Sequence, residues 1–228
     1  FLKTISPSNA QILWRWPTVK ALGRRTLFIQ EQTTPNIHSI KFIPGEQVLP
    51  QGTMDFPNAR IAMKSPLAKS LFRIDGVAGV FFGPDFVTVT KAGDDVAWSE
   101  VKPQVYSVIM GFYTSKAPIV SEDTELPQDT LIHDDDSEAV AMIKEILDSR
   151  IRPSVQDDGG DITYVSFDEE SGVVTVKMQG ACKSCSSSAV TLKRGVENML
   201  MHYVPEVKEV VAMDDPDAPP PKLELAST

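Results

Sequence analysis

The chain has 228 residues, with 31 acidic and 22 basic side chains and a formal net charge of −9. An acidic balance argues against nucleic-acid binding, which needs a basic footprint. No apolar run approaches the ~20 residues of a membrane span, and two cysteines exclude a disulfide-built scaffold. We therefore expect neither a nucleic-acid nor a membrane partner, and a length that allows two small domains.

The first thirty residues differ from the rest, because they contain basic but no acidic side chains. An acid-poor, arginine-bearing segment with interleaved apolar residues is typical of an organelle transit peptide. A basic N-terminal arm is the alternative. We predict a transit peptide over residues 1–26, with processing near Arg24 and Arg25.

Residues 27–118 predict a first domain with the order ββαββα. Two short strands, 27–30 and 39–43, precede a helix that begins at Pro66 with Ser65 as its N-cap. A hairpin over 77–82 and 86–90 leads to a helix over 98–113. The turn after Phe81 is interpreted as a strand end, with a docking surface as the alternative. Nothing in this domain assembles a catalytic set.

Residues 119–136 predict an acidic linker. Residues 121–136 hold seven acidic side chains and no lysine or arginine, which is typical of a solvated segment. Because the segment has too few apolar residues to dock the domains rigidly, we expect the two domains to move independently.

Residues 137–215 predict a second domain with the order αββαβ, so that the whole chain is α+β with two small domains. A helix over 138–151 follows Ser137 as N-cap and should end or bend at Pro153. Strands over 162–167 and 172–178, a helix to Tyr203 and a strand over 207–213 complete the domain. Gly159 and Gly160 permit a positive φ or close packing beside the loop that follows the second strand. Residues 216–228 predict a disordered tail.

The two cysteines, Cys182 and Cys185, lie between a predicted strand and a predicted helix. A helix N-terminus favours thiolate, the form that binds metal, and Lys183 adds positive charge. Iron–sulfur clusters are usually held by four cysteines, and structural zinc by four Cys or His ligands. The three histidines show no ligand spacing to the pair, so a second chain or an outside thiol must supply the missing ligands.

The ligand count favours a two-fold dimer that shares one cluster. A thiol–disulfide oxidoreductase that uses the same pair is the enzymatic alternative, and a zinc-bridged dimer is the structural one. In each case we expect an exposed loop, whose cysteines contribute little to core packing.

The second domain resembles the C-terminal domain of NifU-like iron–sulfur scaffold proteins. The first resembles the N-terminal module of the mitochondrial Nfu type. The motifs that carry the resemblance are residues 34–36, 41–45, 65–68 and 81–86, and then 151–153, 156–161, 179–188 and 204–207. One departure is Ser186, where many relatives place proline.

The resemblance implies a non-enzymatic carrier of the mitochondrial matrix, with no catalytic residues. It implies a [4Fe–4S] cluster shared between two subunits, with Cys182 and Cys185 as the metal and cofactor ligands. The implied partners are a second copy of the chain on cluster binding, upstream cluster-assembly proteins and recipient apoproteins.

Overall fold

The computed structural model describes residues 28–120, 129–183 and 186–213, without the side chains of residues 186–191. The predicted transit peptide, the predicted tail from residue 216 onward and Cys185 lie outside the described residues. Within the described parts, the chain forms two domains of mixed helix and strand, which confirms the α+β class.

The first domain is a five-stranded antiparallel sheet covered by two helices. The strands are β1 (Gln30–Thr33), β2 (Ser39–Ile43), β3 (Met54–Phe56), β4 (Val77–Phe82) and β5 (Val87–Lys91). They pair in the order β1-β2-β5-β4-β3. The helices are α1 (Pro66–Leu71) and α2 (Trp98–Ser115), and a short 3₁₀ turn (Ile61–Lys64) precedes α1.

Local sequence explains how α1 begins. The Ser65 hydroxyl accepts a hydrogen bond from the Ala68 N–H at 3.1 Å, and Pro66 opens the first turn, as predicted. Both helices pack on one face of the sheet. The core between them contains Leu67 and Leu71 of α1, Val101, Val105 and Ile109 of α2, and Phe42, Val80, Phe82, Val87 and Val89 of the sheet.

The predicted order ββαββα omits a strand. The three residues of β3, which pair with the end of β4, are too few to show an alternating pattern. The first strand begins at Gln30 instead of residue 27, and all four of its residues are exposed. Its position is set by antiparallel pairing with β2, which local hydrophobicity does not report.

The second domain packs helices against a three-stranded sheet. Its elements are α3 (Glu138–Ile146), a π-helical turn (Leu147–Ile151), α4 (Arg152–Asp157), β6 (Gly160–Asp168), β7 (Val173–Gly180), α5 (Ser186–Tyr203) and β8 (Glu209–Ala212). The order is β6-β7-β8, with β6 antiparallel and β8 parallel to β7. The core draws on all of these layers, including Ile143, Leu147, Ile162, Val174, Val176, Val196, Leu200 and Val210.

Pro153 does not end the first helix of this domain. The backbone stays helical through Ile151 and Arg152, and the Arg152 N–H donates to the Leu147 carbonyl five residues earlier, so the proline follows directly on a π-helical turn. The irregularity falls one turn earlier, in the π-helical turn. No helix in the described segments is long and apolar enough to cross a membrane.

The two domains are packed together in this structure, whereas the linker composition predicted no docked contact between them. The face of the first sheet that points away from α1 and α2 lies against the start of β6 and the end of β7. This face holds Lys41 of β2, Phe81 of β4 and Thr88 of β5 as direct cross-strand neighbours. We call these three residues the outer row.

Candidate metal centre

Cys182 lies in the turn between β7 and α5, as the sequence predicted, but it is not on an exposed loop. Its side chain is only 7% exposed and packs in the hydrophobic core of the second domain. The expectation of an exposed loop is therefore wrong for Cys182. The β7 strand places it there, because Val174, Val176 and Met178 alternate into the same core just before the turn.

Gly159 and Gly160, at the start of β6, form the surface on which Cys182 rests. Gly159 has a φ of +82°, and a Cβ built on Gly160 would lie 2.6 Å from the Cys182 sulfur. Any larger residue at position 160 would push the sulfur away. The sequence-based prediction that these glycines permit a positive φ and close packing beside the cysteine loop is confirmed.

Backbone hydrogen bonds tie the cysteine turn to the glycine turn. The Ala181 N–H donates to the Gly159 carbonyl at 3.3 Å, which joins the two turns. Within the cysteine turn, the Lys183 N–H donates to the Gly180 carbonyl at 3.3 Å. Helix α5 begins at Ser186, so the turn lies beside the positive end of that helix. This setting favours thiolate at Cys182 when the side chain reaches a metal.

The first domain donates hydrogen bonds to both turns. The Asn36 amide donates to the Ala181 carbonyl at 3.1 Å, and the Thr88 hydroxyl donates to the Gly159 carbonyl at 2.8 Å. Both donors are fully or almost fully buried. Asn36 and Thr88 therefore hold the residue before Cys182 and the turn beneath it.

Lys41 and two aromatic rings complete this contact. The Lys41 ammonium donates to the Gln156 carbonyl at 3.0 Å, at the C-terminal end of α4, where a cation is favoured. It also lies 4.3 Å from the centre of the Phe86 ring. The Phe81 ring packs on Gly180 so closely that a Cβ there would lie 2.8 Å from it, and Gly180 has a φ of +63°.

Arg152 is the centre of a second network beside the glycine turn. Its guanidinium donates to the carboxylates of Asp161 at 3.1 Å, Asp148 at 2.7 Å and Asp129 at 2.9 Å. The Thr53 hydroxyl of the first domain donates to the other oxygen of Asp161. Burial raises the pKa of Asp161 above its usual value, although Arg152 and Thr53 oppose that rise.

The sequence assigned Arg152 and Asp161 to motifs but gave them no such role. It also treated Asp129 as part of a solvated linker, whereas the Tyr164 N–H donates to that carboxylate at 2.8 Å. The acidic stretch therefore ends in ordered contacts with the second domain. Arginine is almost never buried without a paired carboxylate. The charge of Arg152 beside an apolar helix was therefore the one signal in the sequence for nearby acidic partners.

The described residues do not by themselves hold a metal ion. Among residues 28–120, 129–183 and 186–213, no group of three or more His, Cys, Asp or Glu side chains is placed to do so. His38 lies 3.7 Å from Asp94, and the ring of His202 packs edge-on against Tyr203. Cys182 is the predicted ligand that the structure describes, and Cys185 lies outside the described residues.

A cleft of about 410 Å³ lies at the domain junction beside the cysteine turn. It is lined by His38, Asp55 and Lys91 of the first domain and by Gly180 and Lys183 of the second, among others. Lys183 therefore faces the junction on one side of the turn, while the Cys182 side chain is turned into the core on the other.

Fold and site together define a two-domain α+β protein with a cysteine turn packed against its N-terminal domain. The family described as "Scaffold protein Nfu/NifU N terminal" matches residues 29–116, and the family described as "NifU-like domain" matches residues 143–211. The chain belongs to the NifU-like scaffold family of the mitochondrial Nfu type.

Two relatives show the extent of the similarity. "NifU-like protein 5, mitochondrial" of Arabidopsis thaliana is 61% identical over 188 residues, which are 82% of this chain and 68% of that protein. "NFU1 iron-sulfur cluster scaffold homolog, mitochondrial" of Homo sapiens is 54% identical over 192 residues, 84% of this chain and 74% of that protein. The predicted family and mitochondrial location are confirmed.

Proposed function

We propose that this protein is a carrier of iron–sulfur clusters in the mitochondrial matrix. It binds a [4Fe–4S] cluster between two copies of the chain, through Cys182 and Cys185 of each copy, and passes the cluster to recipient apoproteins. The observation that carries the proposal is the position of Cys182, in the turn before α5 of a NifU-like domain. The cluster is cargo, so the protein performs no catalytic step on it.

Ligand number supports a shared cluster. A cubane needs four protein ligands, and the chain has two cysteines. Two copies related by a two-fold axis supply four thiolates from equivalent turns. A cluster held by two thiolates from each of two copies can leave when the copies separate, which suits delivery better than four ligands buried in one chain.

The place of the cysteine turn in the chain fits a thiolate ligand. The turn precedes α5, and the unpaired N–H groups at the start of a helix favour negative charge. The Cys182 sulfur packs directly on Gly160, so a residue with a side chain at position 160 would displace it. Upstream assembly proteins would supply the cluster and apoproteins would receive it.

Anaerobic reconstitution with iron and sulfide tests the proposal. The full chain should develop the broad visible absorption of an iron–sulfur cluster and sediment as a dimer, whereas the metal-free chain should sediment as a monomer. Cys182→Ala and Cys185→Ala should each abolish stable cluster binding. Met201→Ala, at an exposed position of α5, is the matched control and should load normally.

Three outcomes would contradict the proposal. A cluster-loaded monomer formed without added thiol would refute the shared site. Colourless zinc binding that needs both cysteines would favour the zinc-bridged dimer. Rapid thiol–disulfide exchange without iron binding would favour the oxidoreductase.

A further inference from the structure

The way in which Cys182 is held conflicts with what a shared cluster requires. A ligand thiolate must project from its own chain toward the metal and the second copy. In this structure the Cys182 side chain is turned into the core of the second domain and is almost fully buried. The turn must therefore rearrange before the sulfur reaches a cluster.

The first domain fastens the backbone around this turn. Asn36 holds the carbonyl of Ala181, Thr88 holds the carbonyl of Gly159, and the ring of Phe81 covers Gly180. The contacts lie at the end of β7, which precedes Cys182, and at the start of β6, against which the sulfur packs. The Ala181–Gly159 hydrogen bond links the two fastened segments to each other.

The residues that make these contacts have no other role in the core of their own domain. The outer row, Lys41, Phe81 and Thr88, points away from α1 and α2, and none of its members belongs to the core of the first domain. All three are nevertheless buried. A sheet that exposed this face in solution would place a lysine, a threonine and a phenylalanine ring in water.

We propose that the first domain is a latch on the cluster site, and that it releases Cys182 only when the two domains separate. The inference concerns the regulation of the proposed cluster site and rests on the proposed function for its biological meaning. In the closed form the outer row and Asn36 keep the cysteine turn against Gly160. In the open form the turn is no longer held, and Cys182 can turn outward toward a second copy.

The interface is of a kind that can open. The contacts described between the domains are mostly polar. Asn36, Lys41 and Thr88 donate to backbone carbonyls, Thr53 donates to the Asp161 carboxylate, and the Phe81 ring packs on Gly180. Contacts of this type open and close in folded proteins without global unfolding. If only the open form accepts a cluster, the apparent affinity for cluster falls in proportion to the open fraction.

The alkylation rate of Cys182 measures the latch without iron. The full chain with Cys185→Ser carries Cys182 as its single thiol, and iodoacetamide followed by mass spectrometry gives the rate. Thr88→Glu places a carboxylate against the Gly159 carbonyl and should open the interface, while leaving the core of the first domain intact. We expect alkylation at least about tenfold faster than in the parent.

Two further variants keep the test selective. Thr88→Val removes only the hydroxyl and should give a smaller increase in the same direction. Lys69→Glu, at an exposed position of α1 on the opposite side of the sheet, is the charge control and should leave the rate unchanged. Equal alkylation rates in the parent, Thr88→Glu and Thr88→Val would overturn the latch, because the burial of Cys182 would then depend on the second domain alone.

Cluster loading separates this inference from the proposed function. With both cysteines present, Thr88→Glu should load a cluster faster than the parent chain. If Thr88→Glu speeds alkylation but neither protein binds iron, the latch stands and the proposed function fails. If both proteins bind cluster at the same rate and alkylation is unchanged, the proposed function stands and the latch fails.

Discussion

The sheets of the two domains are covered in different ways. In β4 and β5 of the first domain, successive residues are buried regardless of the face they point to, including Val80, Phe81 and Phe82. In β7 of the second domain, burial alternates, with Val174 and Val176 inside and their neighbours only half-buried. The first sheet is therefore covered on both faces, one by its own helices and the other by the second domain.

This difference shows where the contact between the domains is specified. The polar linker has little that would dock one domain on the other, but Phe81 and Phe86 place aromatic rings on a sheet face that the first domain does not cover itself. A buried polar group on such a face needs a partner. Thr88 and Lys41 find theirs in the backbone carbonyls of the second domain.

Phe81 and Phe82 are neighbours in β4 that point to opposite faces of the first sheet, so a substitution at each tests one face. Phe82 lies in the core of the first domain, 4.9 Å from the ring of Phe56, and Phe81 lies on the outer row. Phe82→Ala should lower the free energy of unfolding by about 4 kcal/mol. Phe81→Ala should lower it by less than half as much, because the core of the first domain stays intact. Urea denaturation followed by circular dichroism measures both.

The alkylation rate of Cys182 gives the complementary readout for this pair. Phe81→Ala should increase it even where the first domain remains folded, because the ring no longer covers Gly180. Equal losses of stability for the two variants would show that the two faces of β4 contribute alike, and the distinction between core and interface would have to be abandoned.

Much of the fold could be predicted, because its signals are local. Ser65 and Pro66 mark the start of α1, and an alternation of apolar and polar residues marks β7. The cysteine turn between a strand and a helix was also evident from the sequence. The short strand β3 was not, since three residues cannot establish a period.

The burial of the candidate site was not predictable in the same way. The hydrogen bond from Asn36 to the residue before Cys182 spans 145 positions of the chain. Threonine and lysine at positions 88 and 41 give no local sign that they are buried. The one available signal was the pair Phe81 and Phe82, because adjacent large apolar residues in a strand indicate that both faces are covered.

Arg152 lies where the second domain meets the first, and its substitution tests whether the network there is buried or screened by solvent. It pairs with Asp161, which is 3% exposed and also accepts a hydrogen bond from Thr53 of the first domain. Arg152→Met leaves this buried carboxylate without its cation and should lower the free energy of unfolding by about 3 kcal/mol. Arg150→Met is the control, because Arg150 is exposed and contacts only the Tyr203 ring among its described contacts, so we expect a loss within about 1 kcal/mol.

Urea denaturation of both variants decides the matter. A loss for Arg152→Met no greater than that for Arg150→Met would mean that solvent screens the network as it screens a surface ion pair. In that case the hydrogen bond between Thr53 and Asp161 would not depend on the ion pair between Asp161 and Arg152.

The smallest effect is expected at the end of the second domain that lies away from the interface. Asp168 closes the turn between β6 and β7, and its carboxylate accepts from the Ser171 hydroxyl at 2.6 Å and from the Glu170 N–H at 3.1 Å. These hydrogen bonds, that of Ser171 first, lower the pKa of Asp168 from its usual 3.8. A carboxyl group with a lowered pKa stabilises the fold above its usual pKa, and this stabilisation is lost as the pH falls through the lowered pKa.

Asp168→Asn should therefore be slightly less stable than the parent at pH 6. The difference should shrink as the pH falls below 3.8 and vanish once the pH is below the lowered pKa of Asp168. Glu169→Gln, an exposed carboxyl in the same turn, is the control for the loss of one negative charge. Urea midpoints at both pH values measure the difference. A gap between parent and Asp168→Asn that persists unchanged in acid would show that the loss comes from the geometry of the turn and not from the charge. If Asp168→Asn changes stability with pH but leaves the alkylation rate of Cys182 unchanged, the accessibility of Cys182 depends on the side of the second domain that contacts the first domain.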